Sequence, residues 1–241
     1  MDRKTLAIAV STPSVSLRWL QGWTETILKL TDHFNLSIHL NYSTIVCVAR
    51  VSNSKEVLNV VCDYVVMLDG DNPPAPAQIV QLIADLEMNP EIDLAAGWYR
   101  LDLGESTSLS CGRSFKVPGQ GVTFRRRFPA DEADFLSPEA PDLQEIDWTG
   151  LGCVVMRKSL LETCGAHAFL PEQEGPEEYW TGDSQGFIWD DMHFCKVARA
   201  AGKRLFVDRR VRVPHLKLRD ITLPAGEAAK EQAAASAGTD Q

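Results

Sequence analysis

Apolar positions along this chain gather in two ways. Some form short unbroken runs closed by turn formers, as at Leu6–Val10, Tyr64–Leu68, Asp93–Tyr99, Cys153–Met156 and Leu205–Val207. Such runs predict strands buried on both faces. Others recur every three or four residues. Leu17, Leu20, Trp23, Ile27 and Leu30 predict a helix from about Ser16 to Leu30, and Ile79, Leu82, Ile83 and Leu86 predict one over Gln78–Met88. Shorter helices are expected at Lys55–Val61 and Arg157–Thr163, and a longer one at Phe187–Ala201 with Gly202 as its stop. Ser37–Leu40 and Thr44–Ala49 read as further strands, and Val211–Val213 as an extended piece ending at Pro214-His215. Strand and helix alternate, which predicts an α/β fold: a doubly wound, mostly parallel sheet flanked by helices, in one domain over about 1–220.

Two stretches break the pattern. Residues 102–145 are rich in Gly, Pro, Ser and charge and have weak periodicity. They predict an irregular excursion, either over the active site or as a plain insertion with a solvated basic turn. The tail, 221–241, is rich in Ala, Glu, Lys and Gln and has no large apolar residue after Ala225, which predicts disorder.

At 241 residues the chain is long enough for a substantial core, and 44% hydrophobic with 24% charged content is ordinary for a soluble domain. The net charge of −9 argues against a wide basic face for nucleic acid. None of the six cysteines forms a CxxC pair, so they read as buried thiols of a reducing compartment. The apolar core of the N-terminal residues is too short for a signal peptide, and no run approaches a membrane span. A cytoplasmic protein without an integral membrane segment is expected.

The most informative chemistry lies at Asp69-Gly70-Asp71, directly after the Tyr64–Leu68 run. Open α/β sheets bind ligands at the C-terminal ends of their strands. Alternate residues of an extended chain point the same way, so the two carboxylates can converge. With a phosphate beside them they suit Mg²⁺ or Mn²⁺, which prefer oxygen ligands. Taken alone, the same three residues also read as a solvated acidic turn.

Three further pieces follow in order: Thr149-Gly150-Leu151-Gly152, Trp189-Asp190-Asp191 at a helix start, and His215 after a strand. Together with Asp69-Gly70-Asp71 they resemble the GT-A glycosyltransferases, most closely short bacterial and phage-type members of glycosyltransferase family 2. The resemblance spans about Leu6 to His215 and is densest over residues 190–215. It implies a GT-A, Rossmann-like fold and a nucleoside-diphosphate sugar as donor, UDP- or GDP-linked. Asp71 and His215 would hold Mn²⁺ or Mg²⁺, with Asp69 on the ion, on its water or on the ribose. Asp191 would be the general base of an inverting transfer. Asp190 stands where the family usually has Glu, which leaves open which of the two is the base. Gly150, Leu151 and Gly152 would form the loop beneath the donor sugar and acceptor. Thr12 and Pro13 would meet the nucleobase, and Arg50, in a looser match, the donor phosphates. Trp148 and Trp189 are candidate stacking platforms for the acceptor, and Arg125, Arg126 and Arg127 candidate acceptor contacts.

Each residue also has a plainer reading. His215 can be a surface histidine, the tryptophans core, and Asp190 and Asp191 charges favouring a helix N-terminus. A different enzyme class also starts from a strand ending in Asp-x-Asp: the haloacid-dehalogenase-type phosphatases, with Asp69 and Asp71 in their acidic site. That motif usually lies near the chain start, whereas here it lies at 69–71 and is followed by Asn72-Pro73-Pro74. The acceptor stays open between a glycan and a hydroxylated nucleobase of phage-type DNA.

Overall fold

A computed structural model describes residues 3–12, 17–43, 45–102, 107–116, 122–124, 133, 135–173 and 187–216. Pro13, the arginine triplet 125–127 and the tail lie outside the described residues.

The centre is a seven-stranded sheet built from β1 (Thr5–Thr12), β2 (Asn35–Tyr42), β3 (Tyr64–Asp69), β4 (Leu94–Trp98), β5 (Leu143–Ile146), β6 (Cys153–Arg157) and β7 (Leu205–Arg212). Their order across the sheet is β5-β7-β4-β6-β3-β1-β2. β2, β1 and β3 run parallel, and so do β4 and β7, while β5 and β6 run antiparallel to their neighbours. The expected mostly parallel α/β sheet is therefore present, with two reversed strands.

Alternation along the strands sorts the core onto two faces. Leu6, Ile8 and Val10 of β1, with Tyr64, Val66 and Leu68 of β3, pack under α1 (Leu17–Leu30) and α3 (Pro76–Met88). Ala7, Ala9, Val65 and Met67 face the other way, with Val57 of α2 (Val46–Leu58), Leu160 and Leu161 of α4 (Lys158–Cys164), and Phe194 and Ala198 of α5 (Asp190–Ala200). Each fully buried Leu, Val or Phe contributes about 1.5–3 kcal/mol relative to exposure, so both faces are needed.

Several expectations need correction. Of the strand expected over Thr44–Ala49, Val46–Ala49 are helical and Thr44 lies outside the described residues. Ile45 is extended and Val46–Ala49 begin α2, which buries Ala49, Arg50, Asn53, Ser54 and Val57 at helical spacing. The β-branched run hid a helix because the buried face continues through polar residues. Leu20 does not face the core with Trp23 and Leu30; it is 48% exposed. The helix expected over Phe187–Ala201 starts only at Asp190. Phe187–Ile188 is a short strand paired with Glu172–Gln173, and extended Trp189 precedes the helix. Its end is as expected, with Gly202 at φ 75°, where only glycine is unstrained. Leu205–Val207 and Val211 belong to one strand, β7, whose register against β4 shifts between Val207 and Arg212. The kink turns Asp208 inward, fully buried.

Parts of 102–145 are ordered. Arg100–Asp102 pairs with Thr107–Leu109, Cys111–Gly112 with Trp148–Thr149, and β5 caps the sheet edge. All six cysteines are free. Burial pushes the Cys153 and Cys195 thiols up to about 12, which keeps them protonated and inert. Among the described residues no helix is long and apolar enough to cross a membrane.

Candidate functional site

The turn after β3 is tied down by backbone hydrogen bonds. The Asp69 N–H donates to the Gly152 carbonyl at 3.1 Å, and the Gly70 N–H to the Ser11 carbonyl at 3.0 Å. The Leu216 N–H donates to the Asp71 carbonyl at 2.7 Å, and Asn72 Nδ2 donates to the Pro214 carbonyl at 3.0 Å. The acidic turn, the end of β1, the 150–152 loop and the 214–216 segment are therefore one assembly. It sits where the parallel strands end, between β1 and the reversed β6.

Asp71 and His215 meet in it. His215 Nε2 lies 3.1 Å from Asp71 Oδ2, and Nδ1 lies 3.0 Å from the Arg100 carbonyl. Both partners are acceptors, and a neutral imidazole has one N–H. If Nδ1–H donates to the carbonyl, the Nε2 lone pair faces a carboxylate oxygen. That lone pair and the carboxylate can then share a cation, as a metal-binding histidine does, whereas an imidazolium would donate to both acceptors. The Tyr99 ring backs the imidazole, with centroids 5.0 Å apart.

Asp69 faces elsewhere. Both of its oxygens accept from Arg50 Nη2 at 2.8 Å, and Arg50 Nη1 donates to Asp190 Oδ2. Burial pushes the Asp69 carboxyl above the usual range while Arg50 pulls it down. Burial alone would lower the Arg50 pKa, but Asp69, Asp190 and Asp191 outweigh it and hold the guanidinium charged. Asp190 is buried, whereas Asp191 is partly exposed and accepts the Met192 N–H at 2.8 Å.

Among the described residues no group of three His, Cys, Asp or Glu side chains stands ready to hold a metal ion. Asp71 and His215 offer two ligands. A hard cation held by one or two protein groups takes its remaining ligands from substrate phosphates and water, so the pair fits Mg²⁺ or Mn²⁺ bound with a diphosphate.

The other expected residues fall as follows. Gly150, Leu151 and Gly152 are buried beside the acidic turn. Their neighbours explain the glycines: a Cβ on Gly152 would lie 2.8 Å from Asn72 Cγ and 2.9 Å from the Tyr99 ring, and one on Gly150 would strike the Tyr99 hydroxyl. Thr12 closes β1, 7% exposed. Trp148 is buried against Gly112 and presents no stacking face. Trp189, just before α5, is 47% exposed.

Two residues escaped the sequence reading. Tyr99 follows β4 directly, and burial, reinforced by Asp69, Asp191 and Asp71, pushes its phenol well above the ordinary value. Its place at the end of a parallel strand was the available signal. Asn72 is 1% exposed, and its Oδ1 has no hydrogen-bond partner among the described residues. Nothing in its local sequence marks it beyond adjacency to Asp71.

No family model matches the chain, and no curated protein matches it in sequence. Among solved structures it is similar to A197 from STIV, with a TM-score of 0.55 and 18% identity over 89% of this chain and 86% of that one. The CMP:2-keto-3-deoxy-manno-octonic acid synthetase complexed with CTP matches at a TM-score of 0.46 and 11% identity, over 97% of this chain and 98% of that one. The likeness to A197 bears on fold. The chain has a GT-A-like, Rossmann-type α/β fold.

Proposed function

We propose that this protein is a metal-dependent glycosyltransferase that moves a sugar from a UDP- or GDP-sugar to an acceptor hydroxyl with inversion. The observation that carries the reading is convergence: the Asp71–His215 pair and the Asp190-Asp191 helix start, far apart in sequence, come together at the strand ends, linked through Asp69 and Arg50. A divalent ion bound there supplies Lewis-acid neutralisation of the departing diphosphate. Asp71 and His215 hold that ion from the protein side. Asp191, the partly exposed member of the acidic pair, takes the acceptor hydroxyl's proton as the oxygen attacks the anomeric carbon. Asp190, committed to Arg50, is poorly placed to do so. Thr12 lines the nucleobase end, and exposed Trp189 offers a ring to a sugar face. The acceptor class is a glycan or a hydroxylated nucleobase, and the net charge of −9 favours the glycan. The phosphatase reading needs Asp69 as a free nucleophile; Arg50 engages both its oxygens, which argues against it.

Thermal unfolding with UDP, GDP, ADP, CDP and dTDP, each with and without Mn²⁺, tests the proposal. A ligand at about a hundredfold over its Kd adds about 2.7 kcal/mol, which raises the Tm of a domain this size by roughly 5–10 °C. The expected result is a shift with UDP or GDP that needs Mn²⁺ and disappears in Asp71→Ala. Stabilisation by phosphate mimics with Mg²⁺, and by no nucleotide, would overturn it in favour of the phosphatase.

A further inference from the structure

The sequence resemblance places Arg50 on the donor phosphates; its surroundings in the structure point to a different task. Its side chain is 7% exposed. One nitrogen is spent on both oxygens of Asp69 and another on Asp190, so little of the fork is left for a ligand. The arginine is also rigidly mounted. Asn53, one turn further along α2, is fully buried and donates to the Val10 carbonyl at 2.9 Å and to Ser11 Oγ at 3.2 Å, which pins α2 to the end of β1.

We infer that Arg50 is a positioning residue: its guanidinium ties the end of β3 to the start of α5 and thereby sets where Asp191 points. The inference rests on the transferase reading, because Asp191's role comes from it. Successive residues of an α-helix lie about 100° apart around its axis. Holding the Asp190 carboxylate inward on Arg50 therefore turns the next residue, Asp191, toward the partly exposed side. Further along, α5 is held by fully buried Phe194 stacked on Phe169 at 4.5 Å, and by Lys196 and Arg199, which pair with Glu172 at 2.7 Å and Asp147 at 2.9 Å. In the first turn Met192 is buried and His193 Nδ1 lies 2.6 Å from the Leu170 carbonyl, and Arg50 supplies the contact at the opening residue, Asp190. The same cation holds Asp69, so the acidic turn and the base-bearing turn share one reference point. Lysine keeps the charge but lacks the fork, and it cannot hold both carboxylates in one geometry.

The test uses Arg50→Lys, Asp190→Asn and the double variant in the full chain. Three quantities are read: amide hydrogen exchange over 190–194, Kd for Mn²⁺–UDP and Mn²⁺–GDP, and kcat and KM for hydrolysis of UDP-glucose and GDP-mannose with water as acceptor. Arg50→Lys is expected to speed exchange over 190–194, leave the diphosphate Kd and the KM within about twofold, and lower kcat about ten- to a hundredfold, the usual cost of a misplaced catalytic group. Asp190→Asn should reproduce the pattern, and the double variant should be no worse than either single, since both remove one tether. A loss of about tenfold or more in diphosphate affinity in Arg50→Lys, with kcat kept, would overturn the inference and make Arg50 a phosphate ligand. Wild-type exchange and turnover in both singles would also overturn it. If Arg50→Lys does not fold, Asp190→Asn, nearly unchanged in shape, carries the same comparison. If neither diphosphate binds the wild type, the transferase reading fails by itself, while exchange over 190–194 still decides the tether.

Discussion

At the scale of single residues, the site is arranged by close contacts that exclude side chains. Gly152 is the sharpest case. Asn72 and Tyr99 stand where a Cβ would be, and Asn72 is itself held by the Pro214 carbonyl. Neither neighbour has room to retreat, since they are 1% and 5% exposed. Gly152→Ala is expected to destabilise the fold by about 1–3 kcal/mol, the usual cost of overpacking, as read by urea denaturation. It should also weaken binding of Mn²⁺ with UDP or GDP, because the Asp69 N–H bonds to the Gly152 carbonyl. Gly22, inside α1, is the control: nothing lies within 4 Å of its Cβ position. There the same change to alanine should stabilise by about 0.5–1 kcal/mol, through helix propensity alone. Equal effects at the two positions would mean that the Gly152 contacts carry no strain.

At the scale of elements, β7 and α3 carry a feature unrelated to the site. The β7 kink brings Asp208 against Asp85 of α3, both fully buried, with Arg210 across the opening at 2.8 Å from Asp208 and 3.2 Å from Asp85. Burial, then the hydrogen bond with Asp208, pushes the Asp85 carboxyl up to about 6. In the unfolded chain it returns to about 3.9. Between those values the folded protein holds a proton that the unfolded chain releases. Stability from this group is therefore full below about pH 4 and is lost as pH rises through about 6. The loss should be on the order of 1–3 kcal/mol. Asp85→Asn stays neutral, so its stability relative to wild type should climb between pH 4 and 7. Parallel curves in denaturation series at several pH values would show that Asp85 is not the titrating group. The same scale explains the misreading of α2. Its inward face includes Arg50, Asn53 and Ser54, polar residues that no hydrophobic template counts.

At the scale of the whole molecule, charge bears on the acceptor. With a net charge of −9, and with cations among the described residues engaged locally, such as Arg204 on Glu145 and Arg209 on Asp142, the protein is poorly suited to a phosphate backbone. Binding to duplex DNA is expected to be undetectable at physiological salt. Measurable affinity falling steeply with salt, by a slope of several in log K against log salt, would restore the nucleobase acceptor.

The sequence alone determined the parts whose signal is local. Strand runs such as Tyr64–Leu68, the helices of α1 and α3, and the acidic turn after β3 are written in neighbouring residues, because backbone periodicity and turn chemistry act over a few positions. From those runs the α/β class and the mostly parallel sheet could be read, and the resemblance across four motifs named Asp69, Asp71, Asp190 and His215, which the fold brings near one another. The partners inside the site were decided by the tertiary structure. Asp71 finds His215 across 144 positions and Arg50 finds Asp190 across 140. Such pairings depend on how strands stack and where a helix start is delivered, and no local pattern encodes them. Hence Trp148 proved to be core, Tyr99 and Asn72 emerged beside the acidic turn, and Arg50 pairs with two of the protein's own carboxylates. A buried charge must be paired where it lies, and only the folded chain fixes what lies beside it.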